Sequence, residues 1–188
     1  MKDVYREVPR FENNAFLLRA VIPEDAEALL AVYSDKNALP FFNSDNCHGD
    51  NFYYPTRERM VQALDFWRFS YEQGYFVRWS IVDKTIGKAV GTVELFTRSA
   101  DDGLSGAVLR LDLRSDYENC GIIENLLNLL LHRVPEYFSD TVITKAPIYA
   151  VERSAALQRL GFSPSEHLLV GHDGYAYNGY WVKNHDLS

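Results

Sequence analysis

The stretch Leu111-Asp112-Leu113-Arg114-Ser115-Asp116-Tyr117-Glu118-Asn119-Cys120-Gly121-Ile122-Ile123 reads as a strand that turns through a polar loop into a helix. Such a junction points unpaired backbone amides, and the positive end of the helix dipole, at whatever lies in front, and a diphosphate is their natural ligand. Any strand-to-helix turn has this shape, so a purely structural turn is the competing reading. Two acids, Glu94 and Asp112, interrupt segments that otherwise read as central strands. Burial raises a carboxyl pKa toward the range of a working general base, and Glu94 is the candidate. Period-two alternation also puts Glu94, Arg110 and Asp112 on one face of a sheet, where cross-strand charge pairing is expected for Arg110 and Asp112.

Between residues 35 and 55 the chain is irregular and carries rings at Phe41, Phe42, Phe52, Tyr53 and Tyr54. A loop of that length in a compact domain is usually functional, so Phe41, Phe42, Tyr53 and Tyr54 form a candidate acceptor lid; docking of the same rings on the core is the alternative. Cys47-His48 lies within this loop, but no third orienting group accompanies it, and it is expected to be ordinary loop. His132, His167 and His172 lack ligand spacing, so no metal is expected.

These residues need elements to hold them. Residues 15–22 read as a strand, and Pro23-Glu24-Asp25 opens a helix through Tyr33, with proline and two acids suited to a first turn. Thr56 caps a second helix whose Met60, Leu64, Trp67 and Tyr71 recur at helical spacing until Gly74 stops it. Strands over 75–82, 89–96 and 107–113 form an antiparallel meander. A helix over 121–134 ends at Pro135, followed by a strand over 141–148 and a helix from about residue 151 to Leu160, which Gly161 terminates. Residues 166–171 and 175–182 form a closing hairpin whose Tyr175, Tyr177, Tyr180 and Trp181 are a candidate homodimer surface.

A chain of 188 residues, 47% hydrophobic and 24% charged, fits one globular domain. Its net charge of -7 and the want of a basic stripe speak against nucleic acid and suit an amine-bearing partner. Two cysteines without metal spacing, and a start with no apolar leader, point to the cytoplasm. No apolar run approaches the roughly 20 residues of a membrane span, so no membrane association is expected.

Leu18-Arg19 followed by Pro23-Glu24-Asp25, Val90-Gly91-Thr92-Val93-Glu94, the run Leu113 to Tyr117, and Leu160-Gly161-Phe162 together resemble the GNAT acetyltransferase superfamily, in particular the branch of ribosomal-protein N-terminal acetyltransferases. The resemblance covers nearly the whole chain, 1–188, as a single domain. It implies an α/β (α+β) fold: a mixed, mostly antiparallel central sheet of about seven strands flanked by about four helices. It also implies acetyl-CoA as co-substrate, with its pantetheine arm along the backbone of Leu111, Asp112 and Leu113. The diphosphate would lie on the loop of Glu118, Asn119, Cys120, Gly121, Ile122 and Ile123.

Within that loop Gly121 matches the family's glycine, Glu118 stands where the family has Gln or Arg, and Ile123 replaces a small residue. The positions of the family's later Asn and Tyr fall at Ala150 and Leu157. Two functions follow. The first is N-acyl transfer to a primary amine on a small molecule or a protein N-terminus. The second is a non-catalytic binding or scaffold domain of the same shape that has lost the cofactor.

Overall fold

Strands rich in Val, Ile and Leu alternate with helices that carry one apolar face, and the computed structural model shows how the two are layered. It describes residues 2–185; Met1 and residues 186–188, the ends of the expected domain, lie outside the described residues. The chain runs β1 (Phe11–Glu12), β2 (Phe16–Ala20), α1 (Ala26–Tyr33), α2 (Arg57–Glu72), β3 (Val77–Asp83), β4 (Lys88–Arg98) and β5 (Gly106–Leu113). It continues through α3 (Cys120–Leu131), α4 (Val134–Tyr137), β6 (Thr141–Lys145), α5 (Val151–Arg159), β7 (Ser163–Pro164), β8 (Leu169–Val170), β9 (Ala176–Tyr177) and β10 (Tyr180–Asn184).

Eight strands form one sheet in the order β1-β2-β3-β4-β5-β6-β10-β7, and β8 and β9 make a separate pair. Every neighbouring pair in the large sheet is antiparallel except β5 and β6. The architecture is the expected mixed, mostly antiparallel sheet with flanking helices. The extra strand reflects β1 and β7, two residues each, too short to leave a periodic signal.

The two faces of the sheet differ. Val77, Trp79, Ile81, Val93, Leu109, Leu111 and Leu113 pack with Ile123, Leu126, Leu127 and Leu130 of α3 and with Leu157 of α5 in one continuous core. The opposite face carries buried polar residues, Arg78, Ser80, Thr92, Glu94 and Asp112, beneath α1 and α2. Those helices bring their own apolar cluster of Leu29, Tyr33, Met60, Leu64 and Trp67. α2 begins where the Thr56 hydroxyl accepts from the Arg59 amide at 3.2 Å, and the chain leaves it through Gly74 at φ +72°.

Three expectations are corrected. Pro135 does not end α3, which stops at Leu131; it lies in the first turn of α4, where its missing amide has no helical partner to lose. The strand expected over 141–148 ends at Lys145, because Pro147 cannot donate to a ladder. The C-terminal hairpin is divided at Asn178-Gly179. β8 pairs β9, whereas β10 leaves to pair β6 and β7. The proposed aromatic row divides with it: Tyr175 is exposed and Tyr180 is buried.

Gly91 sits where β4 crosses closest to β5, and a Cβ there would lie 2.3 Å from the Asp112 carbonyl oxygen. Gly91→Ala is therefore expected to destabilise the protein by about 1–3 kcal/mol through overpacking against backbone. A lowered denaturant midpoint at unchanged slope checks this.

Candidate active site

Because β3, β4 and β5 are in antiparallel register, Arg78 lies opposite Glu94, and Glu94 opposite Arg110. The row of alternating charge is hydrogen-bonded throughout. Arg78 donates to Glu94 Oε2 from Nε at 3.1 Å and also from Nη2, and Arg110 Nη1 donates to Glu94 Oε1 at 3.1 Å. One register step away, Arg78 Nη1 reaches Tyr33 Oη at 2.9 Å, Thr92 Oγ1 at 2.9 Å and Asp112 Oδ2 at 3.1 Å. Tyr33 Oη donates to Asp112 Oδ2 at 2.7 Å.

Burial works against the charge on Arg78, and Glu94, Tyr33 and Asp112 together hold the guanidinium protonated. Burial likewise pushes the Asp112 carboxyl up against the pull of Arg78, and among the described residues its Oδ1 has no partner. The Asp112 side chain is buried with Tyr33 and Arg78 and serves the network. The expected cross-strand pairing is present, on a face that α1 and α2 bury.

Glu94, Arg78 and Arg110 floor a cavity of about 400 Å³ walled by Phe52, Tyr54, Phe66, Trp67 and Phe76, with Asp50 and Arg59 at its side. A larger cavity of about 590 Å³ adjoins it across Asn46 and Arg110, towards Arg98, Asp102 and Tyr180. The smaller one holds Glu94 and is the candidate acceptor site. Of the four lid rings, only Tyr54 lines it. Phe42 is buried with its ring 5.2 Å from that of Tyr33, Phe41 packs on Tyr149 at 6.1 Å, and Tyr53 is not among the lining residues. The rings thus divide: Phe42 docks on the core and Tyr54 lines the cavity. Cys47 also lines the cavity, and burial pushes its thiol up, which keeps it protonated and a poor nucleophile.

β5 and β6 pair only at Ala107 with Val142, Val108 with Ile143 and Leu109 with Thr144, after which they part. The Leu109 carbonyl accepts from Thr144 Oγ1 at 2.9 Å across the pair. Strand carbonyls repeat direction every second residue, so that of Leu111 faces the gap. It accepts there from Arg153 Nη1 at 3.0 Å. Arg153 is also bidentate on Glu118, Nε to Oε1 and Nη2 to Oε2 at 2.7 Å each, with both side chains almost wholly buried. Arg114 pairs with Asp116 in the same way, so each of these two loop acids carries its own cation.

At the start of α3 the Cys120 amide donates to Glu152 Oε2 at 2.8 Å, and the Gly121 and Ile122 amides donate to Asn119 Oδ1 at 3.0 and 3.4 Å. Ile123 does not crowd this end, because its side chain is in the core beneath the sheet. Leu111 and Leu113 likewise send their side chains to the core and can offer only backbone. The donor set fits an acyl-CoA: a carboxylate already stands on the Cys120 amide where a phosphate oxygen would, and the Leu111 carbonyl faces a gap between parted strands. Two groups of the protein, Arg153 and Glu152, hold those positions. Ala150 and Leu157 are buried and carry no reactive group.

Arg78, Tyr33 and Arg153 were not foreseen as site residues. Two of them had a signal: Arg78 shares the period-two face of Ser80 in Val77–Asp83, and Arg153 falls three residues after Ala150 and four before Leu157, on the apolar side of its helix.

A mostly antiparallel sheet whose one parallel pair parts in front of a helix N-terminus defines an acyltransferase-type fold. The family model for the acetyltransferase (GNAT) domain matches residues 15–163, and the chain belongs to that family. Similar solved structures include RimL, a ribosomal L7/L12 alpha-N-protein acetyltransferase in complex with coenzyme A; it is 14% identical with a TM-score of 0.70, over 96% of this chain and 100% of that one. A ribosomal-protein-S5-alanine acetyltransferase from Vibrio fischeri is 19% identical at TM-score 0.66, over 95% and 98%. The microcin C7 self-immunity acetyltransferase MccE, in complex with acetyl-CoA and AMP, is 17% identical at TM-score 0.66, over 92% and 93%. No curated protein matches in sequence.

Removing Arg78 leaves the buried Asp112 carboxylate without a cation and Glu94 with Arg110 alone. Arg78→Met is expected to cost about 3–5 kcal/mol, and adding Asp112→Asn should recover part of that loss. Chemical denaturation of the single and double variants reads both.

Proposed function

We propose that the protein is an N-acetyltransferase that moves an acetyl group from acetyl-CoA to a primary amine held in the cavity above Glu94. One observation carries this reading: on β5, Arg110 floors the acceptor cavity while the next carbonyl, that of Leu111, faces the cofactor gap. The two sites thus adjoin along one strand, and adjacency is what bringing an amine against a thioester requires. Bound acetyl-CoA would supply an activated acyl group, with the α3 amides on its diphosphate and the backbone of Leu111–Leu113 along its arm.

The protein's own residues do the rest. Glu94 has three of its acceptor directions filled by guanidinium donors, which fixes its orientation, and Oε1 keeps one for the amine. The aromatic walls screen the attacking amine; as its C–N bond forms and the thioester C–S bond breaks, the proton it loses passes by way of solvent at the open side of the cavity to the leaving thiolate, and CoA departs as thiol.

Charge narrows the acceptor. Asp50 is paired with Arg59 and Glu94 with Arg78 and Arg110, so the cavity offers no uncompensated carboxylate to a polyamine or aminoglycoside. An amine on an apolar or aromatic group suits it, either a small molecule or a protein N-terminus with an apolar first residue. The names of RimL and the S5-alanine enzyme give ribosomal proteins as acceptors, at an alpha-N position in the first and at an alanine in the second. The whole chain serves this one activity as a single cytoplasmic domain.

The closure of the gap by Arg153, with Ala150 and Leu157 where the family carries polar groups, favours a second reading, a non-catalytic binding domain. Release of CoA thiol from acetyl-CoA separates the two. Peptides with an apolar N-terminal residue or phenethylamine should support turnover and spermidine should not. No thiol release with any amine at millimolar concentration would select the binding domain.

A further inference from the structure

Arg153 touches three parts of the molecule that have no other common member. Its Nη1 donates to the Leu111 carbonyl in the gap and to the Phe41 carbonyl in the lid, at 3.0 Å each, while Nε and Nη2 hold Glu118 of the diphosphate loop. The neighbouring Glu152 caps the Cys120 amide from outside. The carbonyl it occupies in the gap and the amide that Glu152 holds are the groups assigned above to pantetheine and diphosphate. Pantetheine cannot take the Leu111 carbonyl while a guanidinium does, and a phosphate cannot approach the Cys120 amide past a carboxylate of like charge.

We propose that Arg153 and Glu152 form a latch that keeps the acyl-CoA gap closed in the free protein, and that opening the latch frees the lid for the acceptor. This rests on the acyl-CoA reading of the site. The physical origin is plain. Parting β5 from β6 leaves the Leu111 carbonyl without a strand partner in a buried place, and an unpaired buried carbonyl is costly. An arginine from α5 satisfies it, and Glu118 neutralises the arginine where the family has Gln or Arg. No charge is then left unpaired when the gap is empty.

The latch also fixes an order of binding. Its bond to Phe41 ties residues 38–42, together with the bond of Tyr149 Oη to the Pro40 carbonyl at 2.7 Å. When the arm of acyl-CoA replaces Arg153 at Leu111, the guanidinium leaves Phe41 too, and the lid segment loosens. Acyl-CoA therefore binds first and the acceptor second. Arg153 is a positioning residue in this scheme and touches no reacting atom.

Calorimetric titration with CoA, on the wild type, Arg153→Ala and Glu152→Gln, tests the latch. A ligand that must first open a closed site binds with its affinity reduced by the open fraction, so Arg153→Ala should tighten CoA binding by about tenfold or more. Glu152 is exposed, so Glu152→Gln keeps the fold and should tighten binding by a smaller factor. Hydrogen exchange provides the readout that a merely structural arginine would not move. The amides of Phe41 and Phe42 should exchange faster in wild type on adding CoA, and should already be fast in Arg153→Ala without it.

Equal CoA affinity in all three proteins, weaker binding in Arg153→Ala, or lid exchange indifferent to CoA would overturn the latch and leave the acyl-CoA reading standing. No binding to any of the three at millimolar CoA would overturn both.

Discussion

A guanidinium buried beneath two helices dictates much of this structure. Arg78 is 3% exposed, and a charge that far from water is tolerable only if its donors are met and its charge is balanced. Glu94 and Asp112 supply the balance and Tyr33 and Thr92 the remaining acceptors, which come from β4, β5 and α1. Sliding any of these strands by one residue would turn the charges into the apolar core on the other face. The Trp67 ring of α2 then covers the guanidinium at 4.2 Å. The network thus fixes register, seats α1 and α2, and leaves Glu94 at the floor of a cavity with its orientation set.

The second constraint is the parting of β5 and β6. In an ordinary sheet the carbonyls of Leu111 and its neighbours would be spent on a ladder; here they are kept for something else. A splayed strand is an unfinished hydrogen-bonding surface, and the protein completes it with Arg153 and completes the α3 amides with Asn119 and Glu152. One substitution that departs from the family pattern in the sequence, Glu118, belongs to that completion. Glu118 at a Gln or Arg position is unfavourable beside a diphosphate when read alone, and becomes intelligible as the carboxylate that neutralises Arg153.

How much of this was legible beforehand follows from the range of each signal. Alternation along β3, β4 and β5 and the cap, stripe and stop of α2 are local, and they identified those elements within a few residues. The family resemblance supplied the mixed, mostly antiparallel architecture of the sheet, which local patterns cannot. Pairing partners of charges were half legible: alternation put Glu94, Arg110 and Asp112 on one face and the central-strand setting suggested burial for the two acids, but a helix packing over that face is a tertiary event, so the choice between a buried and a solvated face was not legible. The strand at 175–182 broke because Gly179 takes φ +80° and β10 finds β6, a partner distant in sequence. Arg153 was hidden most deeply, since a lone arginine on an apolar helix face acquires meaning only from the carbonyl 42 residues away that it satisfies.

The claim that the protein fills its own cofactor gap is tested most directly by the nitrogen-15 resonance of the Arg153 side chain, assigned by its loss in Arg153→Lys. In the free protein its Nε–H should be a sharp signal that exchanges slowly with water, as a buried donor bonded to Glu118 must. Saturating CoA should move or broaden that signal into the range of exposed arginines. A resonance unchanged at full occupancy of CoA, or one already exchanging like an exposed side chain without it, would contradict the account.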